Sequence, residues 1–195
     1  DGRNIVVSTG TGSGKTECFL IPIINHLMRE KEVYGEIKPG VRALLIYPMN
    51  ALANDQIDRL RRTLAKYPEI TFGSYTGQTE YKKEKALEIF KKININLETG
   101  EVPVRLENEL LSREEMKETP PHILITNYAM LEYLMLRPED SIFFEGEHAH
   151  SWKFIVLDEA HTYTGSTGIE VSMLMRRVMA KLHNPQIQYI LTSAT

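Results

Sequence analysis

The sequence predicts a doubly wound α/β domain, in which a mostly parallel sheet carries helices on both faces. Short runs rich in Val and Ile alternate with longer segments of helical periodicity, which is typical of parallel strands joined by crossover helices. Runs such as FIVLD at 154–158 are almost wholly apolar, which indicates strands buried on both faces. The chain has 195 residues, 42% of them hydrophobic, which is enough for one sizeable core. We therefore expect one domain.

The strands and helices follow one another in a regular order along the chain. Strands are predicted at residues 4–8, 42–47, 71–75, 122–126, 153–158 and 188–192. Helices are predicted at 15–29, 51–66, 128–136 and 168–182, each after a strand. In such a sheet the ligand lies beyond the carboxyl ends of the strands. The unusual loops of this sequence fall at these ends.

Residues 78–121 interrupt this order and are interpreted as an insertion between core elements. The segment YKKEKALEIFKK is predicted to be helical, with Leu87 and Phe90 facing inward. The following stretch is predicted to form a hairpin around Thr99 and Gly100. The lysines of this segment, and Arg59, Arg62 and Lys66 on one helix face, are interpreted as solvated surface.

The composition of the chain excludes several classes of function. The formal net charge is −3, so any contact with nucleic acid has to be local. The single cysteine, Cys18, excludes an internal disulfide, and no Cys/His spacing around it indicates zinc. There is no apolar stretch of membrane-span length and no basic-then-apolar leader, so a cytoplasmic protein without a membrane partner is expected. The first predicted strand begins almost at Asp1, which suggests a piece of a longer protein.

A glycine-rich loop lies between the first strand and the first helix, in NIVVSTGTGSGKTE at 4–17. Glycines allow backbone N–H groups to approach an anion closely, and the helix start adds partial positive charge. Lys15 is expected to bridge the β- and γ-phosphates, and the Thr16 hydroxyl to ligate Mg²⁺. The general pattern has glycine where this chain has Thr9. The sequence predicts an ATP site formed by Thr9, Gly10, Thr11, Gly12, Ser13, Gly14, Lys15, Thr16 and Glu17.

Two adjacent carboxylates follow a later buried strand, in FIVLDEAH at 154–161. Asp158 is predicted to face the same Mg²⁺ as Thr16, directly or through water. Glu159 is predicted to polarise the water that attacks the γ-phosphate. A pair of acids at one strand end suits hydrolysis better than transfer to a second substrate.

These motifs resemble those of superfamily-two helicases of the DEAD/DEAH-box kind. TGTGSGKT, DEAH at 158–161 and the terminal SAT at 193–195 resemble motifs I, II and III of that family, in order and spacing. YPMNALANDQ at 47–56 resembles motif Ia, TG at 76–77 resembles motif Ib, and TNYAML at 126–131 resembles the motif before the DEAH strand. Within the superfamily, LEYLMLRP and DEAHTYTGSTGIEVSMLMRRV are most similar to DNA repair and phage-defence translocases related to Lhr and to the RecQ-four-like helicases.

The resemblance implies a RecA-like P-loop NTPase fold over residues 1–195, the first of two such domains in an ATP-driven motor. It implies that His161, Ser193 and Thr195 link the nucleotide site to the nucleic-acid face. It also implies that a second RecA-like domain of the parent chain supplies an arginine for hydrolysis. The isolated piece is expected to be nearly inactive without that domain.

A translocase grips the nucleic-acid backbone without reading bases, so phosphate contacts are expected at strand ends and helix starts. The partner is expected to be single-stranded DNA or a duplex with a tail, and the preference for DNA follows from the subgroup resemblance alone. The predicted contacts are Pro48, Met49, Asn50, Thr76, Gly77, Thr126 and Asn127.

Two other functions remain open at this point. A nucleotide-gated module that clamps nucleic acid without processive movement would carry the same motifs. A P-loop transporter or signalling ATPase is a third candidate, against which the order of the motifs and the lack of an LSGGQ signature argue.

Overall fold

A seven-stranded parallel sheet forms the centre of the domain, in the order β1-β7-β6-β2-β5-β3-β4. This computed structural model describes residues 2–10, 14–48, 50–94, 105–182 and 186–194, and for 50–55 it describes the backbone alone. The strands are β1 (Ile5–Ser8), β2 (Ala43–Tyr47), β3 (Phe72–Ser74), β4 (Glu109–Leu110), β5 (Ile123–Asn127), β6 (Phe154–Leu157) and β7 (Gln188–Ser193).

Helices cover both faces of this sheet. They are α1 (Lys15–Tyr34), α2 (Asn50–Leu64), α3 (Lys83–Asn94), α4 (Arg113–Glu118), α5 (Tyr128–Leu136) and α6 (Gly165–Leu182), with 3₁₀ turns at Pro138–Phe143, Gly146–His150 and Ala160–Thr162. In the part of the chain that the structure describes, no helix is both long and apolar enough to pass through a bilayer. The predicted α/β class with a parallel sheet is confirmed.

Strand alternation divides the core into two layers. Leu44 and Ile46 of β2 face one layer, with α5 and α6, whereas Leu45 and Tyr47 face the other, with α1 and α2. All of these side chains are buried, because each strand of the sheet interior has helices on both sides. This burial on both faces explains why the strand segments of the sequence are continuous apolar runs.

The observed elements differ from the predicted ones mainly at helix ends. Helix α1 continues past the predicted end to Tyr34, where Gly35 adopts a left-handed conformation and its N–H donates to the Lys31 carbonyl. Helix α6 begins at Gly165, earlier than predicted. The helical prediction within the insertion is correct, with Phe90 buried and Leu87 half-buried. The predicted hairpin at Thr99 and Gly100 lies outside the described residues.

The insertion also contributes elements that the sequence did not predict. Its short strand β4 extends the sheet by pairing with β3, and α4 packs beside that pair. The packing is close: a Cβ at Gly73 of β3 would lie 2.6 Å from the Met116 sulfur of α4. Helix α4 starts with a capping box in which Ser112 and Glu115 satisfy each other's backbone N–H groups. Much of the insertion is therefore part of the sheet and its cover.

Asn108 ties the insertion to the end of α2. Its buried amide nitrogen lies 3.1, 3.0 and 2.9 Å from the carbonyl oxygens of Leu64, Tyr67 and Ile70. These carbonyls belong to the end of α2 and the turn after it, where helical partners run out. One side chain from the insertion thus satisfies the last turn of a core helix.

We expect Asn108→Ala to lower the free energy of unfolding by about 1–3 kcal/mol, because the Ile70 carbonyl loses its donor, whereas the Leu64 and Tyr67 carbonyls still accept from backbone N–H groups. Urea unfolding of this chain measures the change. The exposed neighbour Glu107 provides the control, and Glu107→Ala should change stability by less than about 0.5 kcal/mol. Equal effects of the two substitutions would show that the amide contacts do not hold the insertion in place.

Candidate functional site

Three neighbouring strands bring the motifs of the sequence to one edge of the sheet. Strand β7 lies between β1 and β6, and the register pairs Ser8 with Ser193 and Leu157 with Leu191. The glycine loop, the DEAH segment and the SAT segment follow these strands. Because all three strands are parallel, their carboxyl ends lie side by side.

The glycine loop turns directly into helix α1. Gly14 has a φ of 83° and precedes the first helical residue, Lys15. A left-handed φ of this kind favours glycine. At the start of the loop the Thr9 N–H donates to the Ser193 carbonyl at 3.2 Å, and Gly10 is exposed. Thr11, Gly12 and Ser13 lie outside the described residues.

The Lys15 ammonium is the clearest sign of a ligand site. Its Nζ is buried and, among the described residues, it has no hydrogen-bond acceptor. The Glu159 carboxylate is 3.6 Å away, which is an ion pair without a hydrogen bond. A buried ammonium with unsatisfied N–H groups is costly. The position is suited to an anion that accepts those hydrogen bonds.

Asp158 lies at the end of β6 and is almost completely buried. Burial raises the pKa of its carboxyl group above the ordinary aspartate value, although a hydrogen bond from the Thr192 hydroxyl and the charge of Lys15 oppose this effect. The dominant cause is the loss of water around the charged form. A cation at this carboxylate would compensate that loss.

Glu159 has a positive φ of 50°, which is rare for a residue with a side chain. Its N–H donates to the Thr192 hydroxyl at 3.2 Å, and its carboxylate accepts from the Ala194 N–H at 3.3 Å. These contacts from β7 and its end hold the strained backbone. The carboxylate therefore points toward Lys15 from a fixed position.

His161 connects the acidic pair to the end of β7. Its Nδ1 lies 3.4 Å from a Glu159 carboxylate oxygen and 3.3 Å from the Ser193 hydroxyl. The structure thus brings His161, Glu159 and Ser193 together. Thr195 lies outside the described residues.

Two residues of helix α2 also reach the glycine loop, and the sequence analysis missed them. The Thr16 hydroxyl donates to Gln56 Oε1 at 3.2 Å and accepts from the Arg59 guanidinium at 2.9 Å. Arg59 also donates to Glu17 at 3.0 Å. The interpretation of Arg59 as solvated surface is therefore incomplete, since the partly exposed guanidinium also binds Thr16 and Glu17. The available signal was a Gln at the end of the motif Ia segment and an Arg three residues later, on the same helix face.

The predicted nucleic-acid contacts lie at the carboxyl ends of β2, β3 and β5. Pro48 follows β2 and is half-buried, Asn50 begins α2, and the side chain of Asn50 and all of Met49 lie outside what the structure describes. Gly77 is exposed after β3. These three strands lie on the side of β6 away from the glycine loop.

Other hydroxyl and amide groups of the predicted contacts are used within the protein. Thr126 is buried and its hydroxyl donates to the Tyr75 carbonyl at 2.7 Å. Thr76 is buried in a turn, where its hydroxyl accepts from the Gln78 N–H at 3.3 Å. The side-chain oxygen of Asn127, Oδ1, caps α5 by accepting from the Met130 N–H. As a correction, Thr126 shapes the strand end and does not present its hydroxyl to the surface.

Lysines of the insertion form ion pairs with acidic neighbours. Lys82 pairs with Glu114 at 2.9 Å, and Lys85 pairs with Glu80 at 3.0 Å. Such pairs on an exposed face contribute little stability, and they reduce the local positive charge. This arrangement agrees with the interpretation of the segment as solvated surface.

The Mg²⁺ expected from the sequence would have to be bound by protein and phosphate oxygens together. Within the described ranges, no group of three or more His, Cys, Asp or Glu side chains is placed to hold a metal. Thr16 and Asp158 together with phosphate oxygens are an oxygen-only set, which suits Mg²⁺ with several of its waters retained. A cavity of about 500 Å³ lies elsewhere, at the amino ends of β2 and β6, and is lined by His26, Glu30 and Arg42 among others.

Comparison with known proteins places this geometry in a family. The DEAD/DEAH box helicase model matches residues 1–102 and 84–195, two segments that overlap inside the insertion. The chain is 34% identical over 277 aligned positions to the Druantia protein DruE of Escherichia coli, covering 100% of the chain and 15% of DruE. It is 30% identical to the ATP-dependent helicase Lhr-Core of Methanothermobacter thermautotrophicus, covering 91% of the chain and 18% of that protein.

A solved structure has the same fold over the whole chain. The DUF1998 helicase MrfA bound to DNA superposes with a TM-score of 0.70 at 27% identity, covering 100% of this chain and 22% of that one. The chain thus spans less than a fifth of the length of either curated relative. The family model matches from the first residue to the last and confirms the resemblance found in the motifs. The chain belongs to the DEAD/DEAH box helicase family.

Proposed function

We propose that this chain is the ATP-binding motor domain of a DNA helicase or translocase, which couples ATP hydrolysis to movement along nucleic acid. The observation that carries the proposal is the buried Lys15 ammonium. It has no hydrogen-bond acceptor among the described residues, yet it lies 3.6 Å from Glu159 at the edge where the glycine loop and the DEAH segment meet. A triphosphate tail is the anion that this loop and helix start are suited to bind.

Four residues of the chain would hold the nucleotide and its cation. Lys15 would donate to the phosphate oxygens, and Gly14 allows the backbone to turn into α1 beside them. Thr16 and Asp158 would hold Mg²⁺, since both are oxygen donors near this edge. When bound, Mg²⁺ would neutralise charge on the phosphates. The raised pKa of Asp158 fits this role, because a cation would favour the ionised carboxylate that burial disfavours.

Glu159 would orient and polarise the attacking water. Its carboxylate is held by the Ala194 N–H and directed toward Lys15, so it is positioned before any substrate arrives. The proton released by that water would pass to the carboxylate as the γ-phosphate is cleaved. Lys15 would stabilise the negative charge on the transferred group.

His161 and Ser193 would report the state of the nucleotide to the rest of the motor. His161 lies 3.4 Å from the Glu159 carboxylate and 3.3 Å from the Ser193 hydroxyl, so a change at Glu159 would alter contacts at the end of β7. Thr195 would take part through the same segment. Polar contacts with two alternative arrangements are the usual basis of such a switch.

The nucleic acid would bind along the carboxyl ends of β2, β3 and β5. We propose that backbone groups at Pro48, Met49, Asn50, Gly77 and Asn127 contact phosphates, whereas the buried Thr76 and Thr126 shape the strand ends beneath them. The preference for DNA is supported by MrfA, whose structure contains DNA. Single-stranded DNA, or a duplex with a tail, is the form that a motor of this family would grip.

We propose that the domain, residues 1–195, works with a second RecA-like domain of its parent protein. That domain would supply an arginine across the cleft to stabilise the transition state, as in related NTPases. The length of the relatives, of which the chain spans 15–18%, supports this arrangement. The chain alone would bind nucleotide weakly and hydrolyse it slowly. A motor that uses ATP and DNA works inside the cell, so we also propose a cytoplasmic location.

We expect Lys15→Ala and Glu159→Gln in the full-length parent each to reduce DNA-stimulated ATP turnover by about 100-fold or more, because one removes the phosphate-binding charge and the other the base. Glu159→Gln should still bind ATP. A phosphate-release assay measures turnover, and Lys92→Ala, an exposed lysine of α3, is the control. Undiminished turnover in both variants would remove the catalytic assignments. Stimulated turnover without strand displacement would indicate a nucleotide-gated clamp.

We expect Asp158→Asn to raise the free energy of unfolding at neutral pH, since burial raises the pKa of this carboxyl and its ionised form therefore opposes folding. Below the ordinary aspartate pKa of about 4 the carboxyl is protonated in both states, so the gain is absent there. The gain develops as the pH rises through the raised pKa of the folded state and is constant above it.

Urea unfolding between pH 3.5 and 7.5, in EDTA and without nucleotide, measures the effect. The control is Asp58→Asn, an exposed aspartate paired with Arg61, which should show no such gain. A pH-independent difference for Asp158→Asn would contradict the electrostatic explanation. It would leave packing or hydrogen bonding as the cause.

A further inference from the structure

The middle of helix α2 contacts the predicted nucleotide site. The first residue of the helix, Asn50, belongs to the predicted nucleic-acid contact. Gln56 and Arg59 are three residues apart, so they lie on one face of α2. Both bind the Thr16 hydroxyl, at 3.2 and 2.9 Å. At 1.5 Å per residue, Arg59 is about 13 Å along the helix from Asn50. Less than three helical turns separate the two functional positions.

The two contacts act differently on the Thr16 oxygen. A threonine hydroxyl has one hydrogen to donate and two lone pairs that accept. Gln56 accepts the hydrogen, which leaves both lone pairs of the oxygen available to accept. Arg59 donates to one of those lone pairs and brings a positive charge to the oxygen. Gln56 therefore prepares the hydroxyl for a cation, whereas Arg59 competes with a cation for it.

The remaining contacts of Arg59 allow it to leave Thr16 without losing all its partners. Its second guanidinium nitrogen donates to Glu17 at 3.0 Å, and the side chain is 40% exposed. An exposed ion pair of this kind adds little stability. The consequence of the Arg59 contacts is therefore expected in ligand binding and not in folding.

The carboxyl-terminal half of α2 is held firmly, so we expect a displacement at Arg59 to tilt the continuous helix about that half and to move its first turn. Leu60 and Leu64 are buried in the core. Arg61 donates from two nitrogens to the buried Glu109 of β4, at 2.8–3.1 Å. The helix is thus anchored to the insertion on one side and to the glycine loop on the other.

We propose that α2 connects the nucleotide site directly to the nucleic-acid face, with Gln56 and Arg59 as positioning residues for Thr16. Binding of the magnesium triphosphate displaces Arg59 from the Thr16 oxygen, and the resulting shift of α2 changes the contact at its first turn. The inference rests on the proposed function, because it needs Mg²⁺ at Thr16. It adds a route separate from the one through His161 and Ser193.

The test measures nucleotide binding by the full-length parent as a function of Mg²⁺ concentration, with a fluorescent, non-hydrolysable ATP analogue. Arg59→Ala removes the competing charge and should lower the Mg²⁺ concentration at half-saturation by about threefold to tenfold, as for a charge interaction at a partly exposed site. Gln56→Ala should raise it. Arg59→Lys keeps the charge but not the planar fork, and should give an intermediate value.

Arg62→Ala is the matched control, since Arg62 is an exposed arginine of the same helix. It should leave the Mg²⁺ dependence unchanged. An unchanged or raised half-saturation value in Arg59→Ala would overturn the proposed competition, even if its melting temperature changed. A wild-type parent that binds no nucleotide with Mg²⁺ would instead contradict the proposed function itself.

The connection to the nucleic-acid face has its own measurement. The ratio of single-stranded DNA affinities with and without the nucleotide analogue reports the coupling. The Arg59→Ala ratio should fall toward one, and the Arg62→Ala ratio should match wild type. A normal ratio in Arg59→Ala would show that α2 does not carry the signal.

Discussion

The ion pair between Lys15 and Glu159 is the interaction on which the organisation of the site depends. It joins the start of α1 to the end of β6, two positions separated by most of the chain but by only one strand of the sheet. Parallel pairing through β7 places their ends at one edge. The buried ammonium and the carboxylate then lie 3.6 Å apart beside the end of the glycine loop.

Several features at this edge oppose stability. Asp158 is ionisable and buried, Glu159 has a left-handed backbone, and the Lys15 ammonium is unsatisfied among the described residues. Each of these features lowers the stability of the folded protein. All three belong to residues to which a chemical role is assigned. The contacts of Thr192 and Ala194 hold this arrangement in place. The residues with an assigned function and the strained backbone therefore lie together, where β6 and β7 end.

The insertion at 78–121 is part of the framework that supports the edge. It adds β4 to the sheet, binds Arg61 of α2 through Glu109, and caps the end of α2 through Asn108. Arg113 of α4 also donates to the Thr76 carbonyl at 3.0 Å, next to the predicted nucleic-acid contact at Gly77. The described parts of the insertion thus stabilise α2 and the loop after β3. Their exposed lysines are largely paired with glutamates.

The sequence by itself determined the fold class and six of the seven strands, and it pointed to the segments that meet at the candidate site. Continuous apolar runs, glycine spacing and adjacent acids are local patterns, and local patterns are readable without coordinates. It did not predict β4 and α4, because a strand as short as Glu109–Leu110 has no period to detect. It also assigned Arg59 to solvent and the Thr126 hydroxyl to a ligand, since it could not show which neighbour each side chain meets. Only the tertiary structure decided those contacts, because they join residues that are about forty or more positions apart through the packing of α2 and β5.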